Sequence, residues 1–314
     1  MNPEPGGNIF DVQFEKSDCR DAILPGICYP KDRDKLSRWL SDRFNSASSL
    51  PTGSPVPIKA LYAPHIDPRV DQGVYAQSFP LLRSLRPKRV VVLATSHYSG
   101  FEPNLYSHTP FIGSRKSFIL PNGTVETDSH AMDLLAEGGK TIGYTERDRA
   151  HRPEHSIELH LLFARHIWNH PFNIVPVLVG TFHELHYMRS GDLSKQIDKF
   201  SKLLRRLDDD DTFFLISGDL SHVGIKFGDS ESASSMRPDV EKHDHRFLKL
   251  AAENRSEELL EHTGTSFDPY RVCGFPPLYT WLKAFPERTG SEVAYHWWDE
   301  SEMRSAVSFG TISY

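Results

Sequence analysis

The sequence predicts an α/β protein, and two features of the apolar pattern support this prediction. Four near-continuous apolar runs indicate buried strands, at residues 58–63, 89–95, 173–180 and 212–217. Such runs are typical of strands that are covered on both faces. Segments with the apolar spacing of helices alternate with them, and this alternation favours a largely parallel or mixed central sheet covered by helices.

The remaining segments complete a single predicted domain. Helical spacing occurs at residues 34–44, 72–84, 128–138, 155–168, 191–207 and 238–262. The alternating C-terminal segment "AVSFGTISY" predicts a last strand, and the Ser, Pro and Gly residues of 45–57 predict a loop. No linker divides the chain, so we expect one domain over residues 22–314. Residues 1–21, rich in Gly, Pro and charge, are expected to form a flexible N-terminal arm.

Composition narrows the classes of protein that this chain could belong to. A net charge of −6 without a long basic run argues against nucleic acid as the main partner. No apolar run approaches the ~20 residues of a membrane span. Three widely spaced cysteines suit neither a disulfide framework nor a zinc knuckle. Together these features predict a cytoplasmic protein.

Three of the apolar runs end in a polar segment that carries a histidine. "ALYAPHID" contains His65, "LATSHYSG" contains His97 and "LISGDLSHVG" contains His222. Ligands of open α/β sheets bind at the carboxyl ends of the strands, so three histidines there predict a site. The alternative is that each histidine only bonds to a nearby backbone carbonyl.

Two other segments offer candidate site residues. "HRPEHSIELH" (151–160) predicts a helix that opens near Glu154 and places His155 and Glu158 on one face. "YRVCGFPPLYTWL" (270–282) places Cys273 just before a predicted helix. A lone cysteine is more often a packing residue than a ligand. A helix N-terminus or a nearby metal would instead favour its thiolate form.

From about residue 22 to the C-terminus the chain resembles the Memo-like family, whose bacterial and archaeal members are often called AmmeMemoRadiSam system protein B. Eight segments in the family order carry the resemblance: "LPGICYPKDRDKL", "APH" (63–65), "LATSH" (93–97), "FILPNGTVETD" (118–128), "EHSIELHLLF" (154–163), "VPVLVG" (175–180), "SGDLSHVG" (217–224) and "VCGFPP" (272–277). The chain departs from the family pattern at Ile66-Asp67-Pro68 and Leu120-Pro121-Asn122. These departures spare the proposed metal ligands and alter the pocket rim.

The resemblance implies a fold similar to that of the class III extradiol dioxygenases, which are non-haem iron enzymes. It implies the metal ligands His65, His97 and Cys273, with the cysteine in place of the dioxygenase carboxylate. The resemblance implies iron(II), and the soft thiolate also favours copper(I) or zinc; iron(II) or copper is the expected cofactor and zinc is possible. Catalytic roles would fall to His155, His222 and Asp219. Four further residues are expected to line the pocket or support the ligands: Asp67, Ser96, Glu154 and Glu158.

Three functions fit this predicted site. The first is a metal-dependent oxidoreductase in which a histidine moves protons. The second is a non-catalytic adaptor that binds a peptide or an anionic group in the same pocket. The third is a copper- or iron-handling protein. Possible partners are an unidentified small molecule or peptide and the other proteins of the AmmeMemoRadiSam system.

Overall fold

A central mixed β-sheet organises the protein. The structure, a computed structural model, describes residues 9–45 and 58–314. Most of the predicted 45–57 loop and the first eight residues of the predicted arm lie outside the described residues. The strands are β1 (Cys19–Asp21), β2 (Ala60–Ala63), β3 (Arg89–Thr95), β4 (Phe111–Gly113), β5 (Ser117–Leu120), β6 (Gly123–Val125), β7 (Tyr144–Thr145), β8 (Asn173–Val179), β9 (Thr212–Ser217), β10 (His222–Gly224), β11 (Ser291–Glu300) and β12 (Ser305–Ser313).

The four strands predicted from apolar runs form the parallel centre of this sheet. Their order is β2-β9-β3-β8, and each neighbouring pair is parallel. At one edge β4 pairs antiparallel with β8, and β7 extends the sheet beside β4. At the other edge β12 pairs antiparallel with β2, β10 and β11. The centre is therefore parallel and both flanks are mixed.

Helices cover both faces of the sheet. They are α1 (Ile9–Lys16), α2 (Arg33–Asn45), α3 (Val74–Ser78), α4 (Pro103–Tyr106), α5 (Ser129–Gly138), α6 (Ser156–Ile167), α7 (Asp192–Arg206), α8 (Ala233–Ala252), α9 (Ser256–Gly264) and α10 (Phe275–Ala284). Alternate residues of β3 enter different cores: Val91 and Leu93 pack toward α7 and α10, whereas Val90 and Val92 pack toward α2 and α6. The strands are thus apolar on both faces because each face has its own helical layer.

The predicted α/β class and the single domain with a helix-covered mixed sheet are confirmed. One predicted helix, 238–262, is two helices in the structure. The helical conformation is interrupted between α8 and α9, where Asn254 has a left-handed backbone (φ 50°). None of the described helices has both the length and the apolar content that crossing a lipid bilayer needs.

The expected N-terminal arm is ordered structure where it is described. β1 pairs with β5 in a small three-stranded sheet with β6. Arg20 in β1 is 1% exposed and forms an ion pair with the buried carboxylate of Glu158 in α6. A buried guanidinium needs such a partner, so this pair fixes the segment against the domain.

Candidate metal centre

Three neighbouring strands deliver polar side chains to one point at their carboxyl ends. β2, β9 and β3 lie side by side. His65, Asp219 and His97 each lie two residues beyond the last residue of their strand. Because the strands are parallel and in register, the three residues leave the same edge of the sheet. The apolar runs therefore bring the polar segments together.

His155 joins His65 and His97 to form a cluster of three imidazoles. The ring centroids lie 4.9 Å apart for His65 and His97, and 5.2 Å apart for His65 and His155. The rings of His97 and His155 stack, with centroids 5.0 Å apart. One nitrogen from each ring lies within 4.8 Å of the others, a spacing that a shared metal ion could occupy.

The hydrogen bonds of His65 determine which of its nitrogens faces this cluster. The Ser217 hydroxyl donates to the carbonyl of Ser156 at 2.7 Å, so its oxygen is available as an acceptor. His65 Nδ1 lies 3.1 Å from that oxygen. The proton is therefore assigned to Nδ1, which leaves the Nε2 lone pair for a metal ion.

His160 secures the backbone that leads to His65. It is fully buried in α6, and its Nε2 donates to the carbonyl oxygens of Ala63 at 3.2 Å and Pro64 at 3.0 Å. These hydrogen bonds attach α6 to the end of β2 and to Pro64, the residue before His65. The Nε2 atom of His160 is therefore engaged by the backbone.

One carboxylate orients both other histidines. Glu154 is 2% exposed and accepts hydrogen bonds from His97 N at 2.7 Å and His97 Nδ1 at 2.9 Å. It also accepts from His155 N at 2.9 Å and Ser156 N at 3.2 Å, and lies 3.3 Å from His155 Nδ1. A proton on His97 Nδ1 leaves its Nε2 free, as a ligating histidine requires.

Cys273 reaches the same point from the turn before α10. Its Sγ lies 3.6 Å from His65 Nε2 and accepts from the backbone N–H of Asp219 at 3.3 Å. The Thr95 hydroxyl donates to the Cys273 carbonyl at 2.7 Å, which ties the turn to the end of β3. Atoms of Cys273, Asp219 and His65 form a second set that lies within 4.8 Å.

Two glycines allow this turn to approach the sheet. A Cβ on Gly218 would lie 2.1 Å from Gly274 Cα, and a Cβ on Gly274 would lie 2.2 Å from the Tyr62 hydroxyl. No side chain fits at either position without a shift of the backbone. The close contact places Gly274 N 2.9 Å from the Asp219 carbonyl and so fixes Cys273 beside Asp219.

Asp219 and His222 lie on the segment that follows β9. Asp219 is 3% exposed; its Oδ1 accepts from His65 N at 2.9 Å, and its Oδ2 lies 3.6 Å from His65 Nε2. Burial raises the pKa of this carboxyl to about 7. His222 Nδ1 donates to the carbonyls of Leu220 and Arg271, both at 3.1 Å, and burial lowers its pKa to about 4.

The direction of the pKa shift differs from one residue of the cluster to the next. Burial and the neighbouring histidines hold the pKa of His65 well below its usual range, and burial raises the pKa of the Cys273 thiol. Burial also opposes charge on His97, but hydrogen bonds with Cys273 and Glu154 outweigh it and raise the pKa to about 11. Burial acts against the Glu154 carboxylate too, yet the hydrogen bonds from His97 lower its pKa to about 2.

Three of the expected pocket residues have other partners. Asp67 binds Arg69, two residues along the chain. Glu158 accepts from Ile23 N, Leu24 N and the Tyr29 hydroxyl, and so holds the N-terminal segment rather than a site histidine. Ser96 donates its N–H to the Val179 carbonyl at 2.9 Å and lines a cavity together with His97 and Cys273.

Several residues that support the site were not predicted from the sequence. Ser156, Ser217, Thr95 and the two glycines act through contacts between segments far apart in the chain. Ser217 and Thr95 carried a usable signal, because each ends a predicted apolar strand two residues before a site residue. The other contacts depend on tertiary packing.

The donor set fits a transition-metal ion. Nε2 of His65 and His97 and the sulfur of Cys273 are the nitrogen and sulfur donors that iron, copper and zinc accept. Each imidazole has its Nδ1 occupied, by Ser217 or Glu154, as expected of a metal-ligating histidine. The Asp219 carboxylate and His155 lie close enough to supply further contacts.

Comparison with known proteins identifies the family of this chain. The sequence profile of the family described as "Memo-like protein" matches residues 20–313. A MEMO1 family protein of Aquifex aeolicus is 25% identical over 95% of this chain and 74% of its own length. A MEMO1 family protein of Thermus thermophilus is 26% identical over 93% of this chain and 82% of its own length. Protein MEMO1 of Danio rerio is 28% identical over 67% of this chain and 64% of its own length. The chain therefore belongs to the Memo-like family.

Proposed function

We propose that this protein is a metal-dependent oxidoreductase that holds iron(II) or copper with His65, His97 and Cys273. One observation carries the proposal. The Nδ1 atoms of both histidines are engaged by Ser217 and Glu154, which leaves the Nε2 atoms as the nitrogens that a metal ion would bind; Nε2 of His65 lies 3.6 Å from the Cys273 sulfur. Two imidazoles and one thiolate leave further coordination positions open, as catalytic metal sites do.

Electrostatics favour the metal-binding form of His65 and oppose that of His97 and Cys273, so a metal ion would displace a proton from each of these two. A metal ion requires a neutral imidazole and a deprotonated thiol. Burial already favours the neutral form of His65, whereas it opposes the thiolate of Cys273. A bound cation would offset that opposition, and Cys273 also accepts the Asp219 N–H at 3.3 Å.

Three side chains beside the ligands would exchange protons with a substrate. Asp219, with a pKa of about 7, would both hold and release a proton near neutral pH. His222 donates through Nδ1, so its Nε2 is the free acceptor. His155 stacks on His97, and burial lowers its pKa, which favours its neutral, proton-accepting form. A bound iron or copper ion would supply one-electron redox chemistry.

Metal analysis of protein purified without oxygen tests the proposal. We expect one equivalent of iron or copper in the wild-type protein and loss of that metal in Cys273→Ser, since a hydroxyl replaces a soft thiolate poorly. Cys28→Ser is the matched control, because Cys28 lies beside Asp67 rather than in the histidine cluster. Stoichiometric zinc alone would contradict a redox role, because zinc has no redox chemistry. Equal metal content in wild type and Cys273→Ser would contradict the ligand role.

A further inference from the structure

The segment that leads to Cys273 holds His222 at three points. The backbone N–H of His222 donates to the Tyr270 carbonyl at 2.7 Å. The carbonyl of His222 accepts from Arg271 Nε at 2.9 Å, and its ring Nδ1 donates to the Arg271 carbonyl at 3.1 Å. Arg271 and His222 therefore hold each other, each through its side chain and its backbone. Because Cys273 follows two residues later, one short segment carries a proposed metal ligand and fixes a proposed proton carrier.

The backbone of Arg271 is in the left-handed conformation, with φ 55°. Seven described residues other than glycine have a left-handed backbone, and four of them lie within 266–271: Ser266, Phe267, Asp268 and Arg271. A Cβ atom makes this conformation costly, so it persists only where the surrounding structure holds it. Residues of this kind are concentrated at active sites. Their concentration just before Cys273 therefore indicates a functional constraint on this segment.

The guanidinium of Arg271 makes contacts that can hold this conformation. Besides its bond to the His222 carbonyl, it forms an ion pair with Asp229. The Asp229 carboxylate also accepts the Gly224 N–H at 2.8 Å. Since β10 begins at His222 and ends at Gly224, the Arg271 side chain is tied to both ends of this strand.

The contact with Arg271 bears on which ring nitrogen of His222 carries the proton. Carbonyl oxygens only accept, so the bonds to the Leu220 and Arg271 carbonyls place the proton on Nδ1 and leave Nε2 as an acceptor. Leu220 lies two residues before His222 and would move with it. The Arg271 carbonyl comes from a different segment, so it fixes the ring relative to Cys273.

We propose that Arg271 is a positioning residue for His222. Its guanidinium holds residue 271 in the left-handed conformation, and the carbonyl of that residue keeps the His222 proton on Nδ1, so that Nε2 stays free to accept a proton. The use of Nε2 in turnover rests on the proposed oxidoreductase function. The tautomer itself does not, because it depends only on hydrogen bonds within the chain.

Nitrogen NMR of the His222 ring in metal-free, isotopically labelled protein tests the proposal, with His222→Gln to assign the signals. Burial lowers the pKa of His222 to about 4, so the ring is neutral at pH 7 and its nitrogen shifts report the tautomer. We expect the Nδ1–H form in the wild type. Arg271→Ala should lower the ratio of the Nδ1–H to the Nε2–H form by roughly two- to tenfold, the effect of one hydrogen bond. Arg271→Gly, which adopts the left-handed conformation without a steric cost, should stay closer to the wild type.

Arg304→Ala is the matched control, because Arg304 is another left-handed arginine, directly before β12. It should leave the ratio unchanged. Asp229→Asn is a second variant for the case that Arg271→Ala does not fold. It weakens the hold on the guanidinium and should shift the ratio in the same direction by a smaller factor.

An unchanged ratio in Arg271→Ala would overturn the proposal, as would equal shifts in the alanine and glycine variants or a similar shift in Arg304→Ala. If Arg271→Ala does not fold, an unchanged ratio in Asp229→Asn would do so. Protein that shows the expected ratios but contains no iron or copper would retain the positioning role and reject the redox function. Protein that contains the metal but has an unchanged ratio in Arg271→Ala would do the opposite.

Discussion

Replacing Glu154 with glutamine tests whether one carboxylate orients His97, a proposed metal ligand, and the neighbouring His155. The side chain keeps its shape, but one acceptor oxygen becomes an NH₂ group. At the Oε1 position that group would face the donors His97 Nδ1, His155 N and Ser156 N; at Oε2 it would face only His97 N. We therefore expect the NH₂ group at the Oε2 position, where it leaves the buried His97 N–H without an acceptor.

Two magnitudes follow from this geometry. A buried unsatisfied donor costs about 1–3 kcal/mol, so the metal-free variant should lose that much free energy of unfolding. The His97 ring would keep a neutral amide oxygen in place of a carboxylate. Mutation of such an outer partner lowers metal affinity about 10–100-fold, which corresponds to roughly 1.4–2.8 kcal/mol. Urea denaturation of metal-free protein measures the first quantity, and metal competition with a chelator measures the second.

Glu158→Gln is the matched control, since it changes a buried carboxylate on α6 that binds the N-terminal segment. We expect this variant to lose stability, because Ile23 N, Leu24 N and the Tyr29 hydroxyl depend on Glu158. Its metal affinity should stay at the wild-type value. Unchanged metal affinity in Glu154→Gln, or an equal loss in both variants, would refute the role of Glu154 at the metal centre.

Three further predictions concern the turn at the site, proton transfer and pH. Gly218→Ala should destabilise the fold by about 1–3 kcal/mol in urea denaturation, because its Cβ would lie 2.1 Å from Gly274 Cα, whereas Gly100→Ala, with nothing within 4 Å, should be nearly neutral. Equal stability of the two would contradict the close contact. His155→Ala should retain its metal and lose about 10²–10⁴-fold in turnover once a substrate is known; loss of the metal instead would make His155 a ligand. Because the pKa of Glu154 is lowered from 4.5 to about 2, its stabilising contribution is present above pH 4.5 and is lost as pH falls toward 2. Urea midpoints of metal-free protein should therefore fall more steeply over this range in wild type than in Glu154→Gln, and parallel curves would contradict the lowered pKa.

The centre of the fold could be predicted because its strands are apolar on both faces. The predicted run 89–95 is the β3 strand, and 212–217 is β9. The β11 strand was missed because it alternates only loosely between exposed and half-buried residues and carries many polar side chains. β11 therefore owes its structure to pairing with β12, which no local pattern encodes.

The positions of His65, His97 and Asp219 could be predicted in part because strand ends converge in a parallel sheet. Glu154 was expected to line the pocket or support the ligands, but its bonds to both His97 and His155 could not be predicted. Its bonds to His97 join segments that lie 57 residues apart. The approach of Cys273 depends on the contact between Gly218 and Gly274, which is also a tertiary feature. Local patterns thus indicated where the site lies, and long-range contacts determine how it is held.

X-ray absorption spectroscopy of the metal in anaerobically purified protein tests the central claim most directly. Ligation by His65, His97 and Cys273 predicts two imidazole nitrogens at about 2.0–2.1 Å and one sulfur at about 2.3 Å from an iron or copper ion. The sulfur signal should disappear in Cys273→Ser and persist in Cys28→Ser. A metal surrounded only by nitrogen and oxygen atoms in the wild-type protein would contradict the proposed ligand set.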